Sequence, residues 1–468
     1  MSNRTRNIII AIVIFQVLLT IGIFALPRVA QALPGHYYVR LQNHRYTAGV
    51  MDLITTPMAT ALPAPAQGAE QLNIADLPAI PGLDQDSIVR PAALAVPTAT
   101  ATLLPTVVEE VAETDTEAEP TETPSPTPTP APTATPEPLP DRVVLENLEV
   151  VVQGFNNCGP ANLSIVLNYF GNATTQAEAA SYLKPNREDR NVSPWQIGEY
   201  VNDFTELQAI TRSGGNLEML KQFIASGIPV VVEKGYQPSA AQGWYGHYLT
   251  VYGYDEEKEE FYSRDTDAGP FDGRARIDSY EEMLHWWQQF NYTFYVVFPP
   301  ERESRVMSII PEYLHDNVSM WEFTTELADR EIAADPDNVF AWLNRGVSQT
   351  RLGEISGEIS YYENGARDFD QARTIGLPPR ALYYEHRPFM AYLRVGRIDE
   401  IMDLTDALLA TTGGQWVEEI HWYRGHALSA QGRLSEARES YIKALEVNEN
   451  FHPAQTSLNW VNSLLSGG

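Results

Sequence analysis

The sequence contains one cysteine, Cys158, within the stretch NNCGPANLSIVLNYFG at residues 156–171. Pro160 suits the first turn of a helix, and the apolar residues that follow recur at helical spacing. A thiol at a helix N-terminus lies at the positive end of the helix dipole, which favours the nucleophilic thiolate. The sequence therefore predicts that Cys158 is a nucleophile. The alternatives are an inert, small buried residue and one half of an intermolecular disulfide.

A nucleophilic thiol needs a base, an orienting group and a donor for the developing oxyanion. His247 begins a predicted strand in WYGHYLTVYGYD, where the neighbouring glycine is expected to leave its ring accessible. Asp265 ends the next predicted strand, so a hairpin would bring it to the same sheet edge as His247. Gln153 precedes Cys158 by five residues and could offer its side-chain amide to an oxyanion. Considered alone, a histidine, aspartate or glutamine in such a position more often has a structural role or faces solvent than takes part in catalysis.

The elements around these residues predict an α+β domain over residues 142–303. The stretch VVLENLEVVVQGF predicts a strand, a turn and a second strand before the helix of Cys158. Short helices are expected after Thr and Ser cap candidates at 174–183 and 193–203, and an amphipathic helix at 216–227. A buried strand IPVVVEKGY, the hairpin around the acidic turn, a helix and a last strand then complete an antiparallel sheet.

These segments resemble the bacteriocin-processing, double-glycine peptidases, cysteine peptidase family thirty-nine of the papain-like clan, and especially their stand-alone peptidase-like relatives. The resemblance covers about Val143 to Glu303 and lies in Gln153, NCGPANLS and GHYLTVYGYD. It implies Cys158 as nucleophile, His247 as general base, Asp265 as orienting residue and Gln153 as oxyanion donor. Family members commonly have Asp-Pro at the aspartate, whereas this chain has RDTDAGP, so Asp267 competes with Asp265. The membrane and ATPase domains of the transporter-linked members have no counterpart in the sequence.

The C-terminal third, residues 304–468, resembles tetratricopeptide repeats, which stack helix pairs of about 34 residues. Gly346 aligns with Gly425 and Gly353 with Gly432, while Gly396 marks a more degenerate middle unit. The first unit carries an insertion near residues 354–361. The small residues are expected to let helices pack closely. The resemblance implies an all-α solenoid with a concave face that holds a peptide or protein partner.

The N-terminal segments predict export. Residues 1–7 contain Arg4 and Arg6, and the uncharged run Ile8–Leu26 reaches about 28 Å at about 1.5 Å per residue, close to a bilayer core. The charges favour a cytoplasmic tip and a single-pass anchor in a bacterial cell membrane, with the globular domains outside the cytoplasm. A cleaved signal peptide is the alternative, because Ala30-Gln31-Ala32 fits a cleavage site and would give a secreted protein. Residues 27–141, rich in Pro and Thr, predict a largely disordered stalk.

Composition narrows the function further. The formal charge of −29 argues against nucleic acid as a partner, since phosphate binding needs clustered basic residues. No cofactor is indicated. The aspartates of DTDAGPFD lack the glycine position and terminal Glu of an EF-hand, so no metal site is expected. We therefore expect a membrane-anchored cysteine peptidase acting on peptides or proteins, with a helical repeat domain for partners. The alternatives are a catalytically silent binding module and an amidase or other acyl transferase.

Overall fold

The computed structural model describes residues 16, 61–66, 138–237 and 243–467. They form a mixed α/β domain and a helical domain packed against it, and residues 61–66 lie on the helical domain. Within these ranges no helix is both long and apolar enough to cross a bilayer. Apart from Gln16, the anchor predicted over residues 8–26 lies outside the described part of the chain, as does most of the predicted stalk.

The α/β domain is built on one seven-stranded sheet in which every described pairing is antiparallel. Its strands are β1 (Arg142–Val144), β2 (Gln208–Arg212), β3 (Val230–Tyr236), β4 (Tyr245–Asp255), β5 (Glu260–Arg264), β6 (Arg276–Ser279) and β7 (Phe294–Phe298). The strand order is β2-β7-β3-β4-β5-β6, and β1 pairs with β4. The helices are α1 (Cys158–Tyr169), α2 (Gln176–Leu183), α3 (Pro194–Phe204), α4 (Leu217–Ala225) and α5 (Tyr280–Gln288).

Both faces of the sheet are covered, which explains the near-continuous apolar sequence of β3. Successive side chains of a strand point to opposite faces. Val231 accordingly packs with Leu163 and Val166 of α1 on one face. Val230 and Val232 pack on the other face, with apolar side chains of α4 and α5. The sheet is therefore a central layer between helices, and α1 is fixed directly against it.

The second strand predicted within VVLENLEVVVQGF does not form. After β1 the chain makes single hydrogen bonds to different partners: the N–H of Leu145 donates to Tyr252 O, and that of Gln153 donates to Thr266 O. Asn147 has a left-handed backbone conformation, with φ of 64°, which interrupts a strand. Residues 145–157 are thus an irregular connection that delivers the chain to the start of α1.

The helical domain consists of nine successive helices in the described residues, several of which pack against the next helix across a short turn. Its helices are α6 (Glu303–Ile309), α7 (Asn317–Ala334), α8 (Val339–Ser356), α9 (Ile359–Ile375), α10 (Arg387–Arg394), α11 (Ile398–Leu409), α12 (Glu418–Ala430), α13 (Leu434–Val447) and α14 (His452–Ser466). A Cβ at Gly346 would lie 2.6 Å from the ring of Phe369, and one at Gly425 would lie 2.4 Å from Tyr441. Glycine at these positions lets paired helices approach closely.

The two aligned glycines Gly353 and Gly432 have different roles. Gly432, with φ of 74°, lies in the turn between α12 and α13. Gly353 lies inside α8, which continues to Ser356 and ends at Gly357 with φ of 75°. Helix α8 therefore continues for three residues beyond Gly353, whereas α12 has already ended before the equivalent Gly432.

The cores of the two domains interlock. Val306 of α6 and Met320 of α7 belong to the apolar core under the sheet. In the opposite direction, Trp244, just before β4, stacks on Phe290 of its own domain at a ring distance of 5.7 Å and packs against Phe340 of the helical domain at 5.3 Å. The predicted boundary between residues 303 and 304 therefore runs through continuous packing, which holds the helical domain against the sheet.

Candidate active site

Cys158 is the first residue of α1 and is partly exposed. The N-cap residue, Asn157, makes no side-chain hydrogen bond to the first turn, and that turn contains no acidic residue. The positive end of the helix dipole is therefore neither capped by an oxygen nor neutralised by a carboxylate. Cys158 is therefore placed at the electropositive end of α1.

His247 and Asp265 meet at the end of the β4–β5 hairpin. The Nε2 atom of His247 lies 3.0 Å from Oδ1 of Asp265, and both side chains are buried, with 2% and 4% of their residue surfaces exposed. Asp265 follows β5 directly, one residue beyond the strand that was predicted to end with it. Since Asp265 binds Nε2, Nδ1 is the ring nitrogen left to exchange a proton with a thiol.

The electrostatics of the pair favour a protonated ring. Burial opposes the charge of His247, but Asp265 and then the Cys158 thiol outweigh it and raise the pKa of His247 to about 10. Cys158 contributes to this rise through a hydrogen bond with the ring and, when it is ionised, through its negative charge. A histidine that keeps its proton at neutral pH is the counter-ion that a thiolate requires. The arrangement therefore places a positively charged His247 beside the Cys158 thiol.

Asp265 is itself held by several donors. The backbone N–H groups of Asp267 and Ala268 each donate to Oδ1 at 2.9 Å, and Nη1 of Arg276 donates to Oδ2 at 2.7 Å. Burial favours the neutral acid, but His247 and these donors hold the pKa of Asp265 well below its usual range. Asp265 is consequently a fixed carboxylate that orients the imidazole.

The rival aspartate, Asp267, takes a supporting position. Its backbone N–H donates to Asp265, while its own carboxyl group is hydrogen-bonded to Tyr245. Burial raises the pKa of Asp267, although the charge of His247 counteracts part of that rise. The geometry thus favours Asp265 as the orienting residue. The third aspartate of this segment, Asp272, forms an exposed ion pair with Arg274.

Gln153 lies in the connection before α1 and is anchored on the loop after β5. Its backbone N–H donates to the carbonyl of Thr266 at 2.8 Å, and its side-chain oxygen accepts from the Thr266 hydroxyl at 2.8 Å. Because the amide oxygen is used in this way, the amide nitrogen is the group that remains to donate to a substrate oxyanion. The placement is compatible with the predicted role.

Asn162, which sequence reasoning missed, joins the three segments of the site. Its amide nitrogen donates to the carbonyl of Cys158 at 2.9 Å, to that of Tyr248 at 3.0 Å and to the Thr266 hydroxyl at 3.3 Å. Its amide oxygen accepts from Thr250 at 2.7 Å. Asn162 is completely buried. The available signal was an amide four residues after the cysteine in an otherwise apolar helix.

Lys184 is a second residue that the sequence did not reveal. Its ammonium donates to the carbonyl oxygens of Asn156 and Asp189, each at 2.8 Å. Burial lowers the pKa of Lys184, while the charges of Asp189 and Cys158 counteract that effect. Lys184 therefore fixes the backbone just before the thiol and adds positive charge near it.

The helical domain reaches this site. The sequence suggested that Gly246 would expose the ring of His247, but His247 is buried, and that expectation was wrong. A Cβ at Gly246 would lie 2.6 Å from Cζ of Phe290 and 3.1 Å from the ring of Tyr384. Glycine is needed here because Phe290 of the α/β domain and Tyr384 of the helical domain both pack directly beside the histidine strand.

A cavity of about 1560 Å³ lies between the domains. Its lining includes Glu233 and Trp244 from the α/β domain and Tyr384 and Glu385 from the helical domain, but not Cys158. Burial, followed by the charges of Glu385 and Cys158, raises the pKa of Glu233 well above its usual range. Glu233 and Tyr384 are thus cavity residues that lie close enough to Cys158 to feel its charge.

A cysteine at a helix start, facing a histidine and an acidic residue on an antiparallel sheet, defines a papain-type, peptidase-like domain. Residues 144–294 match the model of the Peptidase_C39 like family, which supports a cysteine peptidase domain in this part of the chain. No curated protein matches. Solved structures that match include a provisionally assigned C39-like peptidase from Bacillus anthracis, at 17% identity, with 33% of this chain and 96% of that chain covered and a TM-score of 0.28.

Proposed function

We propose that this protein is a cysteine peptidase that hydrolyses peptide bonds with Cys158 as nucleophile, His247 as acid and base, and Asp265 as orienting residue. The observation that carries the proposal is the buried 3.0 Å contact between His247 and Asp265 beside a thiol at a helix start. The family match over residues 144–294 supports the same reaction class.

In the proposed reaction the Cys158 thiolate forms a bond to the carbonyl carbon of the scissile peptide, and the carbonyl electron pair moves to oxygen. The Cys158 backbone N–H and the Gln153 amide would stabilise that oxyanion. The carbon–nitrogen bond then breaks, and the amine leaves with the proton from His247, giving a thioester. Water attacks the thioester while neutral His247 takes its proton, and the carboxylic acid and free thiolate are released.

Cleavage of a peptide mixture tests this proposal, with new termini detected by mass spectrometry. We expect cleavage by the wild type and none by Cys158→Ser, because a serine hydroxyl is poorly activated by the same histidine. His247→Ala should also be inactive, whereas the exposed His285 provides a matched control, so His285→Ala should keep full activity. Full activity of Cys158→Ser would contradict the assignment, and an inactive wild type would favour the silent binding module.

We also propose that the helical domain is a tetratricopeptide-repeat domain that binds a peptide or protein partner. Close helix packing at Gly346 and Gly425 and the succession of helix pairs support this reading.

The charge pattern of residues 1–26 supports an exported, membrane-anchored protein. Protease added to intact cells should then cut the stalk at residues 101–140 and release the globular domains. Complete protection of those domains would contradict export.

A further inference from the structure

Residues 61–66, with the sequence ALPAPA, lie on the helical domain far along the chain from the segments they contact. Leu62 is buried in the apolar core of that domain, with 8% of its surface exposed. Pro63 and Pro65 are half-buried, while the three alanines are exposed. The segment therefore inserts one large apolar side chain and turns its small residues to solvent, as a bound peptide does.

The helical domain recognises the backbone of this segment with two charged side chains. The guanidinium of Arg373, in α9, donates to the carbonyl oxygen of Pro63 through Nε at 3.0 Å and through Nη2 at 2.5 Å. The carboxylate of Glu400, in α11, accepts from the backbone N–H of Ala66 at 2.7 Å. Hydrogen bonds to charged groups are among the stronger ones in proteins. The helical domain thus binds both the carbonyl of Pro63 and the N–H of Ala66, three residues further along the segment.

These two side chains are held in place by the helical domain itself. Nη1 of Arg373 donates to Oε2 of Glu400 at 2.7 Å and to the hydroxyl of Tyr392 at 3.1 Å. Arg397 donates to Oε1 of Glu400 at 2.9 Å and forms an ion pair with Asp370. Arg373 and Glu400 are 6% and 2% exposed. The site is preorganised because its charged groups neutralise and orient each other.

We propose that α9, α10 and α11 form a recognition site for proline-containing segments of the type Leu-Pro-x-Pro-x, and that residues 61–66 are its tethered occupant. The inference deepens the binding role proposed for the helical domain and does not depend on the chemistry of Cys158. Proline restricts the free peptide, so less conformational entropy is lost on binding. The leucine site supplies specificity, and the backbone contacts supply affinity. A tethered segment competes with any peptide added from outside.

Fluorescence anisotropy with a fluorescein-labelled peptide of residues 60–67 tests the proposal on the full chain carrying Cys158→Ser, which prevents cleavage of the probe. Leu62→Asp should release the tethered segment and open the site. We expect the chain with this change to bind the peptide at least tenfold more tightly than the chain with Ala61→Asp. Ala61 is the matched control because it is the neighbouring exposed residue of the same segment.

Changes in the peptide test the contacts without altering the protein. N-methylation at the position of Ala66 removes the donor to Glu400 and should weaken binding by about 10- to 100-fold, as expected for a hydrogen bond to a charged group. Leu→Asp in the peptide should abolish binding. Equal affinity of the Leu62→Asp and Ala61→Asp chains would overturn the proposal, as would a folded Leu62→Asp chain that gives no saturable binding. Binding that is insensitive to N-methylation would do the same.

Discussion

Replacing Asp265 by Asn tests the central electrostatic argument. The substitution keeps the shape of the side chain but removes its negative charge. That charge compensates the effect of burial, which by itself would lower the pKa of His247. The pKa of His247 is raised to about 10, against an ordinary value of about 6.5. This difference corresponds to about 5 kcal/mol of stabilisation of the protonated ring relative to the neutral ring. Without Asp265, burial acts with only the thiol against it, so His247 should be largely neutral at pH 7. An asparagine amide could also donate to Nε2 and fix the wrong tautomer.

The assay uses the fact that Cys158 is the sole cysteine of the chain, so alkylation by iodoacetamide reports on one thiol. The alkylation rate follows the fraction of thiolate. A thiol without an ionic partner is only about 0.3% ionised at pH 6, given the ordinary thiol pKa of about 8.5. We therefore expect the wild type to be alkylated roughly 10²-fold faster than Asp265→Asn at pH 6, because only the wild type keeps a positively charged His247 beside the thiol.

Peptide cleavage should fall in the same variant by about 10²- to 10⁴-fold, by analogy with the loss of the orienting aspartate in catalytic triads. Asp272→Asn is the matched control, since Asp272 is exposed and should affect neither measurement. An unchanged alkylation profile in Asp265→Asn would refute the ion-pair argument. A larger effect of Asp267→Asn would show that the rival aspartate orients the ring.

Three further changes test other parts of the structure. Gln153→Ala should slow peptide cleavage by roughly 10²- to 10³-fold while alkylation of Cys158 stays normal, because an oxyanion donor acts only on the substrate; slowed alkylation would indicate a different role. Gly246→Ala should destabilise the protein by about 1–3 kcal/mol in denaturant unfolding, since its Cβ would overlap Phe290. Gly154→Ala is the control, because its nearest contact would be 3.7 Å, and equal effects of the two changes would contradict the packing argument. The folded pKa of His247 lies above its ordinary value, so its ion pair stabilises the fold fully below about pH 6.5 and loses that effect as the pH rises through about 10. The difference in Tm between wild type and His247→Gln should therefore be larger at pH 6 than at pH 10, and a constant difference would contradict this sign.

Local sequence signals predicted most elements of the α/β domain. Gly-Pro after Cys158 begins α1, while Thr175 and Ser193 form capping boxes at α2 and α3. These signals act between residues a few positions apart, so they can be recognised without knowledge of the fold. The prediction failed for the second strand before α1, and it omitted β2 and β6, because those outcomes depend on whether a partner edge is available for pairing.

The sequence by itself determined which side chains could perform the chemistry: a single thiol at a helix start, a histidine at the start of a strand and aspartates after the next one. Only the tertiary structure decided that Asp265 rather than Asp267 contacts the ring, and that Asn162 and Lys184 hold the thiol segment. It also decided that Tyr384 covers the histidine strand and that residues 61–66 dock on α9 and α11. These contacts join residues distant in the chain, and side-chain packing selects among partners that composition and spacing leave equivalent.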